Sequence, residues 1–224
     1  MHKQLKPLLE YSPILFDFDG LLVDTEKQHF QAYKQTVESF SLSFNWDYAS
    51  FMPIAHISGV AIRQSLFEAY PELFQKITWE EFYAKKSARY CELIEEGLTR
   101  FMPGAEVLIR RLLEENHSFA VVTNSTRRQI DLVKNNLPLL KKVPHWFVRE
   151  DYNNPKPAPD GYLKALEFFG KKSTPIGFED TKKGIVSLSA AGVLPVLVCD
   201  ENHPQREHIS GDITFYSSLT HLLQ

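Results

Sequence analysis

Short apolar runs alternate with helical patterns along most of the chain. Each apolar run is followed at once by polar or acidic residues, as is typical of buried parallel strands; the runs are Ile14–Phe16, Phe119–Val122, Ile176–Phe178, Val196–Val198 and, more weakly, Trp146–Val148. Apolar positions at helical spacing lie between them, over Ala105–Glu115, Arg127–Asn136, Gly161–Phe169 and Lys182–Ala191. Strands that alternate with helices of this length predict an α/β protein with a doubly wound parallel sheet.

One segment breaks this alternation. Between Lys27 and Thr99 the sequence shows helical patterns only, over Gln28–Phe40, Ala61–Ala69 and Trp79–Glu96. A helical block that interrupts an α/β pattern just after its first strand predicts a second, smaller domain. We therefore expect an α/β core formed by residues 1–26 and 99–224, with an inserted all-helical cap domain over residues 27–98.

Composition and charge argue against several classes of protein. The 224 residues are 43% hydrophobic and carry a formal net charge of −3, so we expect no binding of nucleic acid. No apolar run reaches the roughly 18 residues that a membrane span needs, so we expect no membrane association. The two cysteines, Cys91 and Cys199, stand in unrelated contexts, which favours a reducing, cytoplasmic location over a disulfide framework. A monomer is the default expectation.

The most specific chemistry follows the first predicted strand, in the segment FDFDGLLVDT (residues 16–25). Asp17 and Asp19 stand one residue apart, and alternate side chains of a strand share a face, so both carboxylates can point to one side. Two anions this close need a cation, or a proton on one of them. The pair therefore suits a nucleophile beside a general acid/base, with Mg²⁺ holding the site together. The alternative is a simple turn, since Asp and Gly are frequent turn residues.

Polar residues also follow the later strands, at the sheet edge where α/β proteins bind ligands. Thr123 and Asn124 can bind an anion, or they can cap the next helix. Lys156 stands in the proline-rich segment NPKPAPD, which either aims its cation or forms a solvated loop. Glu179 and Asp180 form a second acidic pair suited to a metal ion, although Asp also caps helices.

Taken together and in this order, these motifs resemble the haloacid dehalogenase-like superfamily, in the branch similar to the β-phosphoglucomutase-like phosphatases, where a helical cap separates the first two motifs. Motif I is FDFDGLLVDT, motif II contains Thr123, motif III is PKPAPD around Lys156, and motif IV is FEDTKKG (residues 178–184). The resemblance covers essentially the whole chain. It implies a Rossmann-like core in which motifs I and IV lie on adjacent strands.

The resemblance implies roles for the four acidic residues. Asp17 would be the nucleophile that becomes an aspartyl phosphate, and Asp19 would be the general acid/base. Mg²⁺ would be held by the Asp17 carboxylate, the Asp19 main-chain carbonyl and Asp180, with Glu179 acting directly or through water. The dehalogenases and phosphonatases of the superfamily lack the second aspartate of motif I, so Asp19 favours a phosphatase.

The resemblance also implies how a phosphoryl group is bound. Thr123 and the N–H of Asn124 would hold its oxygens, and Lys156 would offset the charge gathered on Asp17 and the phosphoryl group. The expected substrate is a small phosphorylated metabolite: a sugar, polyol or nucleotide monophosphate.

Two alternatives stay open. A β-phosphoglucomutase-like phosphotransferase is favoured by His29, where the mutases have a functional histidine, and by Lys86, near a cap lysine that helps to hold the distal phosphate. The mutases also have an arginine three residues after a cap glycine, but here that position is Ile62, and Arg63 comes one residue late. His29, Arg63 and Lys86 are therefore candidate substrate contacts, although His29 and Lys86 can equally be ordinary solvated helix residues. The second alternative is a non-catalytic phosphometabolite-binding protein, which the complete set of motif residues disfavours.

Overall fold

The computed structural model describes residues 5–97, 99–170, 174–201, 206, 209 and 213–223. Its strands are β1 (Ile14–Phe16), β2 (Val23–Asp24), β3 (Arg100–Phe101), β4 (Phe119–Val122), β5 (Trp146–Phe147), β6 (Ile176–Glu179), β7 (Leu194–Val198) and β8 (Thr214–Tyr216). Its α-helices are α1 (Leu5–Leu8), α2 (Glu26–Glu38), α3 (Tyr48–Ile57), α4 (Gly59–Ala69), α5 (Pro71–Phe74), α6 (Trp79–Glu95), α7 (Ala105–Glu114), α8 (Arg127–Asn136), α9 (Asp160–Phe169) and α10 (Lys182–Ala190). Short 3₁₀ segments run over Pro138–Lys142, Arg149–Asp151 and Leu219–Leu223. The chain divides into two units, residues 1–24 with 99–224, and residues 25–98.

The first unit contains a six-stranded parallel sheet with the strand order β5-β4-β1-β6-β7-β8. β1 lies in the middle, where Phe16 pairs with Val121 on one side and Phe178 on the other. All three residues of β1 have no exposed surface, because a central parallel strand is covered on both faces. The α/β fold with a parallel sheet is confirmed, and motifs I and IV do lie on adjacent strands.

The pattern of apolar runs located β1, β4 and α8 at their observed bounds, and most other elements to within two residues. It missed the antiparallel pair β2–β3, whose strands have two residues each, too few to show an alternation. It also missed α3, because Pro53 inside that helix is normally a helix breaker. It also missed β8, a partly exposed strand at the sheet edge, and the four-residue helices α1 and α5, which are too short to show a helical pattern.

The second unit is helical: its described residues, 25–97, form α2 to α6 and no strand. Its core is rich in aromatic side chains and consists of Phe30, Tyr33, Val37, Phe51, Met52, Ile62, Leu66, Tyr70, Leu73 and Phe82. Aromatic rings bury much apolar area each, so this small unit has a substantial core of its own. None of the helices in the described ranges has the length and apolarity that a membrane crossing requires.

Candidate active site

Three neighbouring strands end at the candidate site. Asp17 follows β1 directly, and its main-chain N–H donates to the carbonyl oxygen of Phe178 in β6 at 3.0 Å. Thr123 follows β4, and Glu179 is the last residue of β6. Because these strands are parallel and adjacent, their carboxyl ends meet at one edge of the sheet, and the polar residues that follow them are brought together there.

Lys156 joins the ends of these three strands. Its Nζ donates to Asp17 Oδ1, to the carbonyl oxygen of Val122 at 2.7 Å and to Glu179 Oε1 at 2.7 Å. The three hydrogens of the ammonium group thus have three acceptors, and the residue is 7% exposed. Burial alone lowers the pKa of Lys156, but the charges of Asp17 and Glu179 outweigh it and raise that pKa above its ordinary value. A solvated lysine in a proline-rich loop is therefore the wrong interpretation, and the ammonium is a fixed charge beside Asp17.

Glu179 is the most deeply buried acid of the site. Its Oε1 accepts from Lys156 and from the hydroxyl of Tyr162, the latter at 2.5 Å. Its Oε2 is buried and has no hydrogen-bond partner among the described residues. Burial and the charge of Asp17 raise the pKa of Glu179 to about 7, although Lys156 and Tyr162 act in the opposite direction. A buried carboxylate oxygen without a donor is an incomplete arrangement that a cation would complete.

The residues expected to hold a metal ion fit a hard divalent cation. Each of Asp17, Glu179 and Asp180 offers a carboxylate oxygen, and these atoms lie within 4.8 Å of one another. All three residues are buried, and Mg²⁺ prefers such oxygen ligands. Asp180 does not cap α10; that role belongs to Thr181, whose hydroxyl oxygen accepts from the N–H of Gly184 at 3.4 Å.

The absence of a side chain at Gly184 leaves room for the carboxyl group of Glu179. A Cβ atom at position 184 would lie 1.9 Å from the carboxyl carbon and from Oε2 of Glu179, far inside any allowed contact. The glycine of FEDTKKG is thus required by the close approach of a side chain and not by its own backbone angles.

Asp19 has surroundings different from those of Asp17. Its Oδ2 accepts from the hydroxyl of Ser125 at 2.6 Å and from that of Thr123 at 3.2 Å. Ser125 is 8% exposed, and its N–H donates to Thr123 Oγ1 at 3.0 Å, which fixes both hydroxyl groups. The two aspartates of motif I are therefore held by different partners, one by a cation and the other by two hydroxyls. The chain does enter a turn directly after Asp19, where Gly20 has a φ of +80°, so the turn and the candidate site occur together in this segment.

The segment after β4 is fastened to the loop that carries Lys156. Asn124 Oδ1 accepts from the main-chain N–H of Lys156 at 3.0 Å. The hydroxyl of Tyr152 lies 2.7 Å from the carbonyl oxygen of Thr123 and 3.0 Å from Asn124 Oδ1. The helix cap of α8 is Thr126, so Thr123 and Asn124 do not serve as N-caps. The Asn124 side chain instead holds this segment against the loop of Lys156, and the Thr123 hydroxyl contacts Asp19.

The candidate substrate contacts of the helical unit fall into two environments. Lys86 is 3% exposed, its Nζ lies 2.8 Å from His29 Nδ1, and the centroid of the Tyr33 ring is 4.5 Å from Nζ. The alternative of a solvated Lys86 is therefore wrong. Arg63 is exposed and stacks over the ring of Phe67, 5.3 Å from its centroid. Sequence reasoning missed Ser125, Tyr152 and Tyr162, because none of them stands at a strand end or in an acidic pair.

A sequence profile of the haloacid dehalogenase-like hydrolases matches residues 14–198. The chain belongs to this family. The resemblance drawn from the four motifs is thus confirmed, and so is the prediction that the chain is an enzyme of this hydrolase family. Among curated relatives, protein CbbY of Rhodobacter capsulatus is 28% identical over 86% of this chain and 87% of its own length. (DL)-glycerol-3-phosphatase 2 of Arabidopsis thaliana is 29% identical over 84% of this chain and 79% of its own length.

A solved structure supports the fold. The crystal structure of CbbY from Rhodobacter sphaeroides in complex with phosphate aligns with a TM-score of 0.76 at 20% identity, over 93% of this chain and 95% of that one. At that level of identity the likeness concerns the fold of the chain and not its substrate.

Proposed function

We propose that this protein is a Mg²⁺-dependent phosphatase that hydrolyses a small phosphorylated metabolite through an aspartyl phosphate on Asp17. The observation that carries the proposal is the separation of the two motif I aspartates. Asp17 contacts the fixed charge of Lys156, whereas Asp19 is held by the hydroxyls of Thr123 and Ser125. A nucleophile and a proton carrier need such different environments.

The first step would form a bond between a carboxylate oxygen of Asp17 and phosphorus, while the bond from phosphorus to the leaving alcohol oxygen breaks. Asp19 would give its proton to that oxygen. Thr123, Asn124 and Lys156 would hold the transferring group and offset its charge, because positioning and electrostatics supply most of the catalysis in phosphoryl transfer.

The second step would restore the enzyme. Asp19, now ionised, would take a proton from a water molecule as that water attacks phosphorus, and the bond from phosphorus to Asp17 would break to release inorganic phosphate. Asp17, Glu179 and Asp180, with the main-chain carbonyl of Asp19, would hold Mg²⁺. When bound, that ion supplies positive charge that stabilises the phosphoryl oxygens.

The test is hydrolysis of p-nitrophenyl phosphate with Mg²⁺, with a chelator, and in the variant Asp17→Asn. We expect activity only with the metal, and none above background in Asp17→Asn. The matched control is Asp131→Asn, because the side chain of Asp131 is 64% exposed on α8. Turnover that survives Asp17→Asn would refute the role of Asp17. A wild-type protein that releases no phosphate from this ester or from a metabolite panel would favour the binding-protein alternative.

One observation favours the second candidate, a β-phosphoglucomutase-like phosphotransferase: the buried Lys86 contacts the half-buried His29. Against it, Ile62 is 7% exposed in the core of the helical unit, where the mutases place an arginine, and Arg63 stacks on aromatic rings instead. Conversion of β-glucose 1-phosphate to the 6-phosphate without phosphate release would establish the mutase. The cytoplasmic location and the monomeric state stay predictions.

A further inference from the structure

We propose that Tyr162 is a positioning residue, whose hydroxyl fixes Oε1 of Glu179 and thereby leaves Oε2 as the oxygen that binds the divalent cation. This inference rests on the proposed function, because it concerns the same metal-binding residues. It assigns a role to an aromatic residue of α9 that neither the motif analysis nor the family resemblance singled out.

The first observation is the hydrogen bond itself. Tyr162 Oη donates to Glu179 Oε1 at 2.5 Å, and the two residues are 0% and 1% exposed. Burial and the charge of Glu179 raise the pKa of Tyr162 above its ordinary value. The geometry makes the phenol the donor of this bond, and hydrogen bonds to a carboxylate are among the strongest in proteins.

The second observation is that Tyr162 contacts both members of the buried ion pair. Lys156 Nζ donates to the same Oε1 atom at 2.7 Å, and it lies 4.8 Å from the centroid of the Tyr162 ring. Two donors on one oxygen set the rotation of the carboxyl group. The other oxygen, Oε2, has no hydrogen-bond partner among the described residues. Glu179 is also one of the three acids whose carboxylate oxygens are close enough to share a metal ion.

Outer partners of this kind orient metal ligands, and their loss typically costs about 10- to 100-fold in metal affinity or activity. Tyr162→Phe removes the hydroxyl and keeps the ring, so Oε1 would retain Lys156 as its donor and the carboxyl group could rotate. A purely structural tyrosine would behave differently: its loss would lower the thermal stability and leave the affinity for the cation unchanged.

The experiment measures the dissociation constant for Mg²⁺ by calorimetry on substrate-free protein. We expect Tyr162→Phe to bind Mg²⁺ about tenfold more weakly than wild type. The kinetic counterpart is a kcat that recovers towards the wild-type value at saturating Mg²⁺, with an unchanged KM for p-nitrophenyl phosphate. The matched control is Tyr152→Phe, which also removes a buried hydroxyl but one whose partners are Thr123 and Asn124. Its Mg²⁺ affinity should stay within twofold of wild type.

A second measurement uses the wild-type protein and does not depend on the folding of the variant. The measurement is NMR on protein whose tyrosines are labelled with ¹³C at Cζ. The Tyr162 resonance is identified by assigning those of the other eight of the nine tyrosines. It should shift when Mg²⁺ is added. Wild-type Mg²⁺ affinity in Tyr162→Phe, an unmoved Tyr162 resonance, or a wild-type protein that binds no Mg²⁺ would each overturn the proposal. If Mg²⁺ binding follows the expected pattern but no phosphate ester is hydrolysed, the proposed function fails and the role of Tyr162 stands.

Discussion

The substitution Glu179→Gln should remove one contribution of pH to the stability of the metal-free protein. Burial and the charge of Asp17 raise the pKa of Glu179 from 4.5 to about 7. In the range between those two values, the folded protein binds more protons at this position than the unfolded chain does. The stabilisation is therefore complete below pH 4.5 and is lost as the pH rises through about 7. Glutamine has the same shape, can still accept from Lys156 and Tyr162 through Oε1, and does not titrate.

The size of the effect follows from the shift in pKa. One pKa unit corresponds to about 1.4 kcal/mol, so the change from 4.5 to about 7 is worth roughly 2 to 3 kcal/mol between pH 5 and pH 8. The free energy of unfolding of wild type should fall by that amount relative to Glu179→Gln over this interval. For a chain of this size, that difference corresponds to roughly 5 to 10 °C in melting temperature.

The assay is thermal unfolding of chelator-treated wild type and Glu179→Gln at pH 5 and pH 8. The variant should gain stability relative to wild type at pH 8, and added Mg²⁺ should then stabilise wild type more than the variant. The matched control is Glu167→Gln, because the side chain of Glu167 is 72% exposed, and its difference from wild type should not depend on pH. A difference between Glu179→Gln and wild type that is the same at both pH values would show that Glu179 does not titrate in this range.

Three further substitutions test other contacts of the α/β unit. Ser125→Ala removes the 2.6 Å hydrogen bond to Asp19, and hydrogen bonds to charged groups are worth about 1.5–3 kcal/mol. The kcat/KM for p-nitrophenyl phosphate should therefore fall at least about tenfold. An unchanged value would contradict a role for Ser125. Gly184→Ala forces a Cβ atom into the carboxyl group of Glu179 and should weaken Mg²⁺ binding, as measured by calorimetry. Wild-type affinity would show that the carboxyl group of Glu179 can move aside at no cost. Gly104→Ala puts a Cβ atom 2.5 Å from the main-chain nitrogen of Thr220, at a position whose backbone φ is +87°. This variant should melt several degrees below wild type and bind Mg²⁺ as wild type does. Equal melting temperatures would show that the backbone at residue 104 accommodates a side chain.

The sheet could be predicted because its strands are buried on both faces. β1 and β4 are continuous apolar runs that end in polar residues, and this pattern gives both the bounds of the strands and the edge where ligands bind. The pattern is absent from β2 and β3, which are defined by their mutual pairing alone. Helix α3 could not be predicted for a different reason. Pro53 has a low helix propensity, yet tertiary packing places it inside a helix.

Some residues of the candidate site could likewise be predicted from the sequence, and others could not. Asp17, Lys156 and Glu179 could be found because each follows or ends a strand, or stands in a stiff proline-rich segment. Tyr162 could not, since an aromatic residue in the first turn of α9 looks like an ordinary core position. Its contact with Glu179 joins residues 17 positions apart, and such a contact is set by the packing of a helix on a strand.

The charges of the buried acidic residues explain both the raised pKa of Glu179 and the proposed binding of a cation. Asp17, Glu179 and Asp180 bring three carboxyl groups together, whereas Lys156 supplies one positive charge to them. Excess negative charge in a buried site is costly, and it is relieved either by a proton or by a cation. In the metal-free protein, burial and the charge of Asp17 raise the pKa of Glu179 to about 7, so this carboxyl group holds a proton below about that pH. A bound divalent cation would remove the need for that proton, so cation binding and deprotonation of Glu179 should be one coupled event, in which the hydroxyl of Tyr162 keeps Oε1 in place while the charge on the carboxyl group changes.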